Sequence, residues 1–374
     1  MCIRDSYATF QRMLEGMDVR VAILTGASKA RERREALAGI ADGSIDLLIG
    51  THALIEDRVQ FSNLGFVVID EQHRFGVEQR ARLWTKNEQP PHILVMTATP
   101  IPRTLAMTLY GDLDVSVIDE LPPGRQPIRT VHYTDAARLR LFGFMRQEIK
   151  KGRQIYVVYP LIKESETMDY KDLQDGYEAI SRDFPLPEYV TTICHGKMKP
   201  EDKEESMRQF KSGEANIMVA TSVIEVGVDV PNATVMVIES AERFGLSQLH
   251  QLRGRVGRGS QQSYCILMSG EKLSKEARLR LEAMCETNDG FRLAELDLKL
   301  RGAGDVNGTL QSGMAFDLKI ANPTLDSQIL TVTREAAAEV LTADPTLTQN
   351  GHEGLRELRK RYSGREEIDF SQIS

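Results

Sequence analysis

Long apolar runs are missing from this 374-residue sequence, and none approaches the roughly 18 residues that a membrane-spanning helix requires. The first six residues also lack the apolar centre and the cleavage site of a signal peptide. We therefore expect no transmembrane segment, and we assign residues 1–6 to a non-native or unstructured start.

Cysteine is scarce, with four residues in the whole chain, and the C-x-x-C spacing does not occur. Cys194 and Cys265 lie within strand-like apolar runs. This pattern is typical neither of a zinc site nor of a disulfide framework. We interpret the cysteines as reduced residues of a cytoplasmic protein.

A surplus of positive charge is missing as well. The net charge is -7 and the isoelectric point is about 5.7, which argues against a protein that coats nucleic acid through bulk charge. An enzyme that holds one strand in a groove needs only a local basic lining, so the overall balance does not decide between these classes. The length suffices for two ordinary domains and an appendage.

An apolar run at residues 65–69 ends in two adjacent acids, Asp70 and Glu71. A buried parallel strand delivers such side chains to the carboxyl edge of its sheet, where α/β proteins carry their chemistry. The pair predicts that Asp70 holds a Mg²⁺ ion on phosphate oxygens and that Glu71 orients or deprotonates the attacking water. The alternative is a strand that simply ends in a polar turn, which a single motif does not exclude.

The same pattern of an apolar strand before small or polar residues recurs at 19–24, 45–54 and 92–100, and it predicts a parallel, doubly wound sheet. After the first strand, Thr25 and Ser28 resemble a phosphate-receiving turn. The basic helix that begins near Lys29 is suited to flank a nucleic-acid backbone, although a solvated face is the commoner explanation.

A Gly-Lys-Ser/Thr loop is absent from all 374 residues. A lobe that uses Asp70 and Glu71 on a magnesium nucleotide normally has this loop, because backbone N–H groups and a lysine cradle the phosphates. Either the loop lies upstream of this chain or the chemistry is different.

A Pro-Pro-Gly turn at residues 122–124 predicts a hinge, after which a second series of strands and helices begins. Strands are predicted at residues 154–159, 190–194, 216–221, 234–239 and 263–268. Two successive α/β lobes predict a ligand-binding cleft between them.

Arginines alternate with glycines at residues 253–259. A guanidinium bonds two phosphate oxygens and keeps its charge, while glycine lets the backbone approach closely. The alternative is a basic helix end in solvent, which is disfavoured because glycine is a poor residue for a helix surface.

Together these residues resemble motifs of the superfamily 2 helicases. Residues 70–73, 97–99, 221–229 and 251–258 are similar to motifs II, III, V and VI. Within that superfamily, the flanks of these motifs are similar to the RecG family of ATP-dependent DNA helicases. The similarity runs from about Tyr7 to near the C-terminus. Gln72 and the short C-terminal tail favour RecG over the related transcription-repair coupling factor Mfd.

The resemblance implies two RecA-like parallel-sheet lobes, the first truncated, and a role for each matching residue. Asp70 would bind Mg²⁺, Glu71 would act on water, and Arg255 and Arg258 would be arginine fingers. Gln72 and His73 would relay nucleotide state towards Gln251. Asp229 would contact the nucleotide, and Thr97 and Thr99 would couple the cleft to the DNA track. DNA contact and translocation are expected of Thr25, Lys29, Thr51, His52, Thr221, Arg301 and Gln311.

The C-terminal region resembles the translocation motif that RecG and Mfd share, which is a helical hairpin followed by a loop. The expected domains are a truncated first lobe at 7–112, a linker at 113–134, a second lobe at 135–270, the hairpin and translocation motif at 271–320, and a helical tail at 321–374.

The resemblance implies an ATP- and Mg²⁺-dependent double-stranded DNA translocase that acts on forks and Holliday junctions, with single-stranded DNA-binding protein as a further partner. The phosphate loop and the family's N-terminal wedge domain are missing, so we interpret the chain as a C-terminal fragment that hydrolyses little ATP alone. Two alternatives stay open: an Mfd-like translocase that works on RNA polymerase, and a non-catalytic nucleic-acid binding fragment.

Overall fold

A computed structural model of the chain describes residues 3–26, 28–71, 89–97, 116–118, 120, 122–160, 166–221, 230–301 and 327–362. The chain divides into two compact units. The first comprises Met1–Ile40, Ser44–Glu56 and Asp119–Asp297, and the second comprises Ala41–Gly43, Asp57–Ile118 and Leu298–Ser374.

Strands and helices alternate along most of the chain. The strands are β1 Val21–Leu24, β2 Leu47–Gly50, β3 Phe66–Ile69, β4 His92–Val95, β5 Arg129–Thr134, β6 Gln154–Tyr159, β7 Thr191–Cys194, β8 Ile217–Thr221, β9 Ala233–Ile238 and β10 Tyr264–Ser269. The helices are α1 Ile3–Met13, α2 Ala30–Ala41, α3 Arg138–Lys150, α4 Glu166–Asp183, α5 Pro200–Lys211, α6 Leu246–Arg253, α7 Lys275–Glu286, α8 Gly290–Arg301, α9 Ser327–Ala343 and α10 Glu353–Tyr362.

A six-stranded parallel sheet forms the centre of the first unit, in the order β5-β10-β9-β6-β8-β7. Every residue of β8 and β9 is buried. Strands that are covered on both faces must be nearly continuous apolar runs, and this is the pattern that predicts them. The five strands predicted between residues 154 and 268 are confirmed to within one residue at each end.

Strand β5 is the element of this sheet that the sequence does not predict, because it falls in the expected linker at 113–134. It pairs with β10 along its whole length, from Arg129 opposite Tyr264 to Thr134 opposite Ser269. In its sequence, Arg-Thr-Val-His-Tyr-Thr, polar and apolar residues alternate only from Thr130 onward, and no residue of it is fully buried. Four of its six residues are polar, which explains why the apolar-run criterion missed it.

The first unit also contains the parallel pair β1–β2, which runs from Val21 opposite Leu47 to Leu24 opposite Gly50. The two strands approach each other closely at their carboxyl ends. A Cβ atom on Gly50 would collide with the carbonyl oxygen of Leu24, so this position requires glycine.

The second unit contains the parallel pair β3–β4, in which Phe66 lies opposite His92 and Ile69 lies opposite Val95. Within each of the two pairs, β1–β2 and β3–β4, the strands are parallel, as predicted. Among the described residues, however, they form two separate pairs, because no described strand is hydrogen-bonded to both. No helix in the described ranges is long and apolar enough to cross a membrane.

Helices α9 and α10 of the second unit are joined by a turn that is organised around Asp344. This side chain is 4% exposed. Its Oδ2 atom accepts a hydrogen bond from the Gln349 backbone N–H at 2.8 Å and lies 2.9 Å from Nδ1 of His352. Leu347, 5% exposed, packs its side chain inside the same turn.

Candidate functional site

Two acids stand immediately after strand β3, at the position that the sequence predicts. Asp70 is exposed, whereas Glu71 is partly buried and its Oε2 atom is shielded from solvent. Glu71 has a φ of 53°, a left-handed conformation that costs a non-glycine residue on the order of 1 kcal/mol. Such strain is frequent at functional sites. Gln72 and His73 lie outside the described residues.

Thr97 comes to the same edge of the β3–β4 pair as these acids. Ile69 pairs with Val95, and the N–H of Met96 donates to the carbonyl oxygen of Ile69 at 2.7 Å. Because the two parallel strands end in register, the residues that follow them are neighbours. Thr97 is exposed at this edge, and Thr99 lies outside the part of the chain that the structure describes.

The segment at residues 254–263, which we name the finger loop, follows helix α6. It carries both predicted arginine fingers, of which Arg255 is partly buried and Arg258 is exposed. Between them, Gly257 has a φ of 76°, and a Cβ atom on it would lie 2.9 Å from Cγ1 of Ile128. Glycine is therefore required at this turn for both its conformation and its space.

Arg253 differs from the two predicted fingers, because it is 2% exposed. Its Nη1 atom donates to the carbonyl oxygens of Met284 at 2.9 Å and Thr287 at 2.8 Å. These carbonyls lie at the C-terminal end of α7, where the helix dipole favours a cation. Burial lowers the pKa of Arg253. This arginine joins α6 to α7 and is not directed at a ligand.

His250 lies one turn before Arg253 on the same helix. Nη2 of Arg253 is 3.0 Å from Nδ1 of His250, and a guanidinium only donates, so Nδ1 is the acceptor. Burial, and then the charge of Arg253, lowers the pKa of His250 to about 4. Sequence reasoning missed this pair, although a spacing of three residues places both side chains on one helix face.

Arg138 and Glu239 form a second unpredicted pair, at the carboxyl edge of the six-stranded sheet. Two bonds of 2.7 and 2.9 Å join the guanidinium to the carboxylate, and a third of 2.7 Å joins it to Asp135. The side chain of Glu239 is 6% exposed. The hydrogen bond to Glu239 is the main cause of a raised pKa at Arg138. The partners are 101 residues apart, so no local pattern reveals them.

Two of the predicted DNA-contact residues, Thr25 and Thr51, lie at one edge of the β1–β2 pair. They follow Leu24 and Gly50, which are paired at the ends of the two strands. The N–H of Thr25 donates to Oγ of Ser28 at 2.9 Å, so this turn is internally bonded.

The other predicted residues occupy several elements. Lys29, which precedes α2, and His52, which follows β2, are exposed; Thr221 is 2% exposed at the end of β8; Gln251 lies in the last turn of α6; and Arg301 ends α8. Within the described ranges, Oγ1 of Thr221 has no hydrogen-bond partner. Asp229 and Gln311 lie outside those ranges.

Three family profiles match successive parts of the chain. Residues 2–108 match the DEAD/DEAH box helicase profile, and residues 138–260 match the helicase conserved C-terminal domain. Residues 287–374 match the profile for domain 3, C-terminal, of ATP-dependent DNA helicase RecG.

Curated relatives extend the similarity over most of the chain. The chain is 52% identical over 343 residues to the ATP-dependent DNA helicase RecG of Synechocystis, which covers 91% of the chain and 41% of that relative. It is 46% identical over 370 residues to RecG of Aquifex aeolicus, covering 97% of the chain and 46% of that relative. The chain belongs to the RecG family. It spans about half the length of these RecG relatives or slightly less.

Two solved structures are similar to this chain in fold, and one of them is also similar in sequence. RecG bound to a three-way DNA junction is 42% identical, with a TM-score of 0.67, over 88% of this chain and 42% of that one. The helicase MrfA bound to DNA and AMPPNP has a TM-score of 0.55 over 90% of this chain and 50% of that one, and at 16% identity it shows the fold alone. The fold is therefore that of the RecA-like helicase lobes, with an α/β parallel sheet.

Proposed function

We propose that the chain forms the motor part of an ATP-driven double-stranded DNA translocase that acts on branched DNA. Its work would be the reversal of replication forks and the migration of Holliday junctions in recombination and repair, in the cytoplasm. The observation that carries this proposal is an identity of 46–52% to RecG proteins over at least 91% of the chain. The relatives' names favour RecG over the Mfd-like alternative.

The proposed domain boundaries are those expected from the sequence. Residues 7–112 form the first lobe and 113–134 the linker, of which residues 129–134 are a strand of the second lobe's sheet. The second lobe extends over 135–270. The hairpin and translocation motif occupy 271–320, where α7 and α8 are successive helices, and the tail occupies 321–374.

Asp70 and Glu71 are assigned to magnesium and water. Carboxylate oxygens are the ligands that Mg²⁺ prefers, and the exposed carboxylate of Asp70 at the end of β3 fits such an ion. When bound, the ion would neutralise charge on the phosphate oxygens of ATP. Glu71, whose backbone is held in a left-handed conformation, would accept the proton of the attacking water.

Arg255 and Arg258 are assigned to the phosphates as arginine fingers. Both extend from the finger loop, which follows the buried Arg253 at the end of α6 and contains the buried Val256. A rigid base of this kind holds donors in place before charge develops in the transition state. The relay of nucleotide state is assigned to Gln72, His73 and Gln251. Nucleotide contact is assigned to Asp229, and coupling to DNA is assigned to Thr97 and Thr99.

Branched double-stranded DNA is the proposed substrate, and single-stranded DNA-binding protein is a proposed partner. RecG bound to a three-way DNA junction supports the substrate by analogy, since 42% of the aligned residues are identical. The DNA contacts are assigned to Thr25, Lys29, Thr51, His52, Thr221, Arg301 and Gln311.

The test uses a complete RecG-family protein that contains these 374 residues. We expect Glu71→Gln to lower DNA-stimulated ATP hydrolysis by at least about 100-fold, because the proton acceptor is lost. Binding of a three-way junction should stay within a factor of about two, since the overall fold and the DNA contacts are retained. Hydrolysis that survives the substitution would contradict the assignment.

A non-catalytic nucleic-acid binding role is the second candidate, for the 374 residues alone. The observation that favours it is the absence of a Gly-Lys-Ser/Thr sequence from the chain. We expect the isolated chain to bind duplex DNA in a salt-dependent manner and to hydrolyse little or no ATP. Robust DNA-stimulated hydrolysis by the isolated chain would reject this second role.

A further inference from the structure

Arg125, in the predicted hinge, is bonded to the finger loop. Its Nε atom donates to the carbonyl oxygen of Gly257 at 2.7 Å, although the two residues are 132 positions apart in the sequence. Gly257 lies between Arg255 and Arg258, so the bond reaches the backbone that separates the two proposed fingers. Arg125 itself is partly buried.

Two further bonds join the segment after Arg125 to the end of the finger loop. Nε2 of Gln262 donates to the carbonyl oxygen of Pro127 at 2.9 Å. The backbone N–H of Arg129 donates to the carbonyl oxygen of Ser263 at 3.0 Å. Residues 125–129 therefore lie along the finger loop as an ordered segment.

A tight turn at residues 122–125 determines the direction in which the Arg125 side chain leaves the backbone. The N–H of Arg125 donates to the carbonyl oxygen of Pro122 at 3.1 Å, and Gly124 has a φ of 81°. Pro123 in the second position and a glycine with positive φ in the third are the requirements of a type II turn. The Pro-Pro-Gly sequence thus gives the Arg125 side chain a defined starting direction.

The space beside Gly257 is closed to a side chain. A Cβ atom there would lie 2.9 Å from Cγ1 and 3.1 Å from Cδ1 of Ile128, so residue 257 has no room for a side chain of its own. Its carbonyl oxygen accepts the bond from Arg125. A guanidinium suits that acceptor, because charged donors form stronger hydrogen bonds than neutral ones.

We propose that Arg125 is a positioning residue that holds the finger loop through Gly257, so that Arg255 and Arg258 are directed at the transition state. This inference rests on the proposed ATP hydrolysis. The segment that contains the hinge would then be part of the catalytic apparatus and not a passive connection. A displacement of about 1 Å in such a loop can lower a rate by about 100-fold.

A purely structural role for Arg125 makes a different prediction. Loss of a structural bond would reduce stability and leave the kinetics of the folded protein unchanged. Loss of a positioning bond would reduce kcat while leaving the KM for ATP nearly constant, because arginine fingers act on charge that develops in the transition state.

The kinetic experiment compares Arg125→Met, Arg125→Lys and Arg129→Met in the complete protein that contains this chain. Arg125→Met should lower the DNA-stimulated kcat by about 10-fold or more, with the KM within about two-fold. Arg125→Lys should recover part of the lost kcat, since an ammonium also donates to a carbonyl oxygen.

Arg129→Met is the matched control, because it removes an exposed arginine of the same segment. The bond from residue 129 to Ser263 uses the backbone N–H, which the substitution retains. Its kcat should stay within about two-fold of the unsubstituted protein. An equal fall in kcat for both methionine variants would overturn the inference.

Hydrogen exchange on the 374-residue chain gives a readout that needs no ATP. Arg125→Met should accelerate exchange at the amides of residues 255–258, and Arg129→Met should not, because only the former releases the Gly257 carbonyl. If Arg125→Met does not fold, Arg125→Lys takes its place with a smaller acceleration expected.

The outcomes separate the two proposals. An unsubstituted complete protein without DNA-stimulated hydrolysis would contradict the proposed function, and the exchange experiment would still decide on the bond. Normal hydrolysis by the unsubstituted protein together with an unchanged kcat in Arg125→Met would overturn the positioning role alone. Unchanged exchange at residues 255–258 would overturn it as well.

Discussion

The six-stranded sheet and the β3–β4 pair are made of the same kind of strand, yet they differ in what covers them. Leu267 in β10 is 0% exposed, whereas Leu94 in β4 is 46% exposed and Phe66 in β3 is 60% exposed. Both regions are parallel and rich in branched apolar residues. An apolar run therefore predicts a strand, but its burial depends on neighbours that the strand's own sequence does not reveal.

The two regions also differ in the carboxylate that follows a strand. Glu239, after β9, is a buried partner of Arg138, whereas Asp70, after β3, is exposed. A carboxylate in the first setting holds the sheet edge together. A carboxylate in the second setting is available to a ligand, which is why the proposed magnesium residue is Asp70.

A leucine-to-alanine substitution in each region should give the largest difference in the free energy of unfolding. Leu267→Ala should lower the free energy of unfolding by about 3–5 kcal/mol, because it leaves a cavity among fully buried neighbours. Leu94→Ala should lower it by less than about 1 kcal/mol, since much of that side chain already contacts water. Urea unfolding followed by circular dichroism measures both values, and equal losses would break the comparison.

The same difference in burial explains which strands can be predicted from the sequence. The strands of the six-stranded sheet that are buried on both faces carry a continuous apolar signal and were predicted. Strand β5, in which four of six residues are polar, does not carry this signal and was missed. Arg255 and Arg258 were found as a local pattern of arginine and glycine. The bond from Arg125 to Gly257 joins residues 132 positions apart, so only the folded chain reveals it.

Loss of charge should affect the two carboxylates Glu239 and Asp70 in opposite ways. Glu239→Gln should lower the free energy of unfolding by about 1.5–3 kcal/mol, because it weakens a charge-assisted bond in a buried setting. Asp70→Asn should change it by less than about 0.5 kcal/mol, as expected for an exposed residue. The activity of the complete protein should show the reverse order, with Asp70→Asn the more damaging substitution. Urea unfolding and ATP hydrolysis supply the two measurements.

His250, a partly buried histidine on helix α6 of the first unit, gives the smallest expected effect, which depends on pH. The pKa of His250 is lowered from the model-peptide value of 6.5 to about 4, first by burial and then by the charge of Arg253, with Asp289 acting in the opposite direction. The folded chain keeps this imidazole neutral between those two pH values, while the unfolded chain binds a proton. Its contribution to stability is therefore complete above pH 6.5 and declines as the pH falls towards 4.

Between pH 6.5 and 5 this proton uptake should lower the free energy of unfolding by about 1.5 kcal/mol. His250→Gln removes the titrating group, so its loss of stability over that interval should be smaller by the same amount, whatever the substitution costs at neutral pH. His132 and His195, whose pKa values burial also lowers, remain in both proteins and cancel in the difference. Parallel curves for the two proteins would show that the packing around His250 does not lower its pKa.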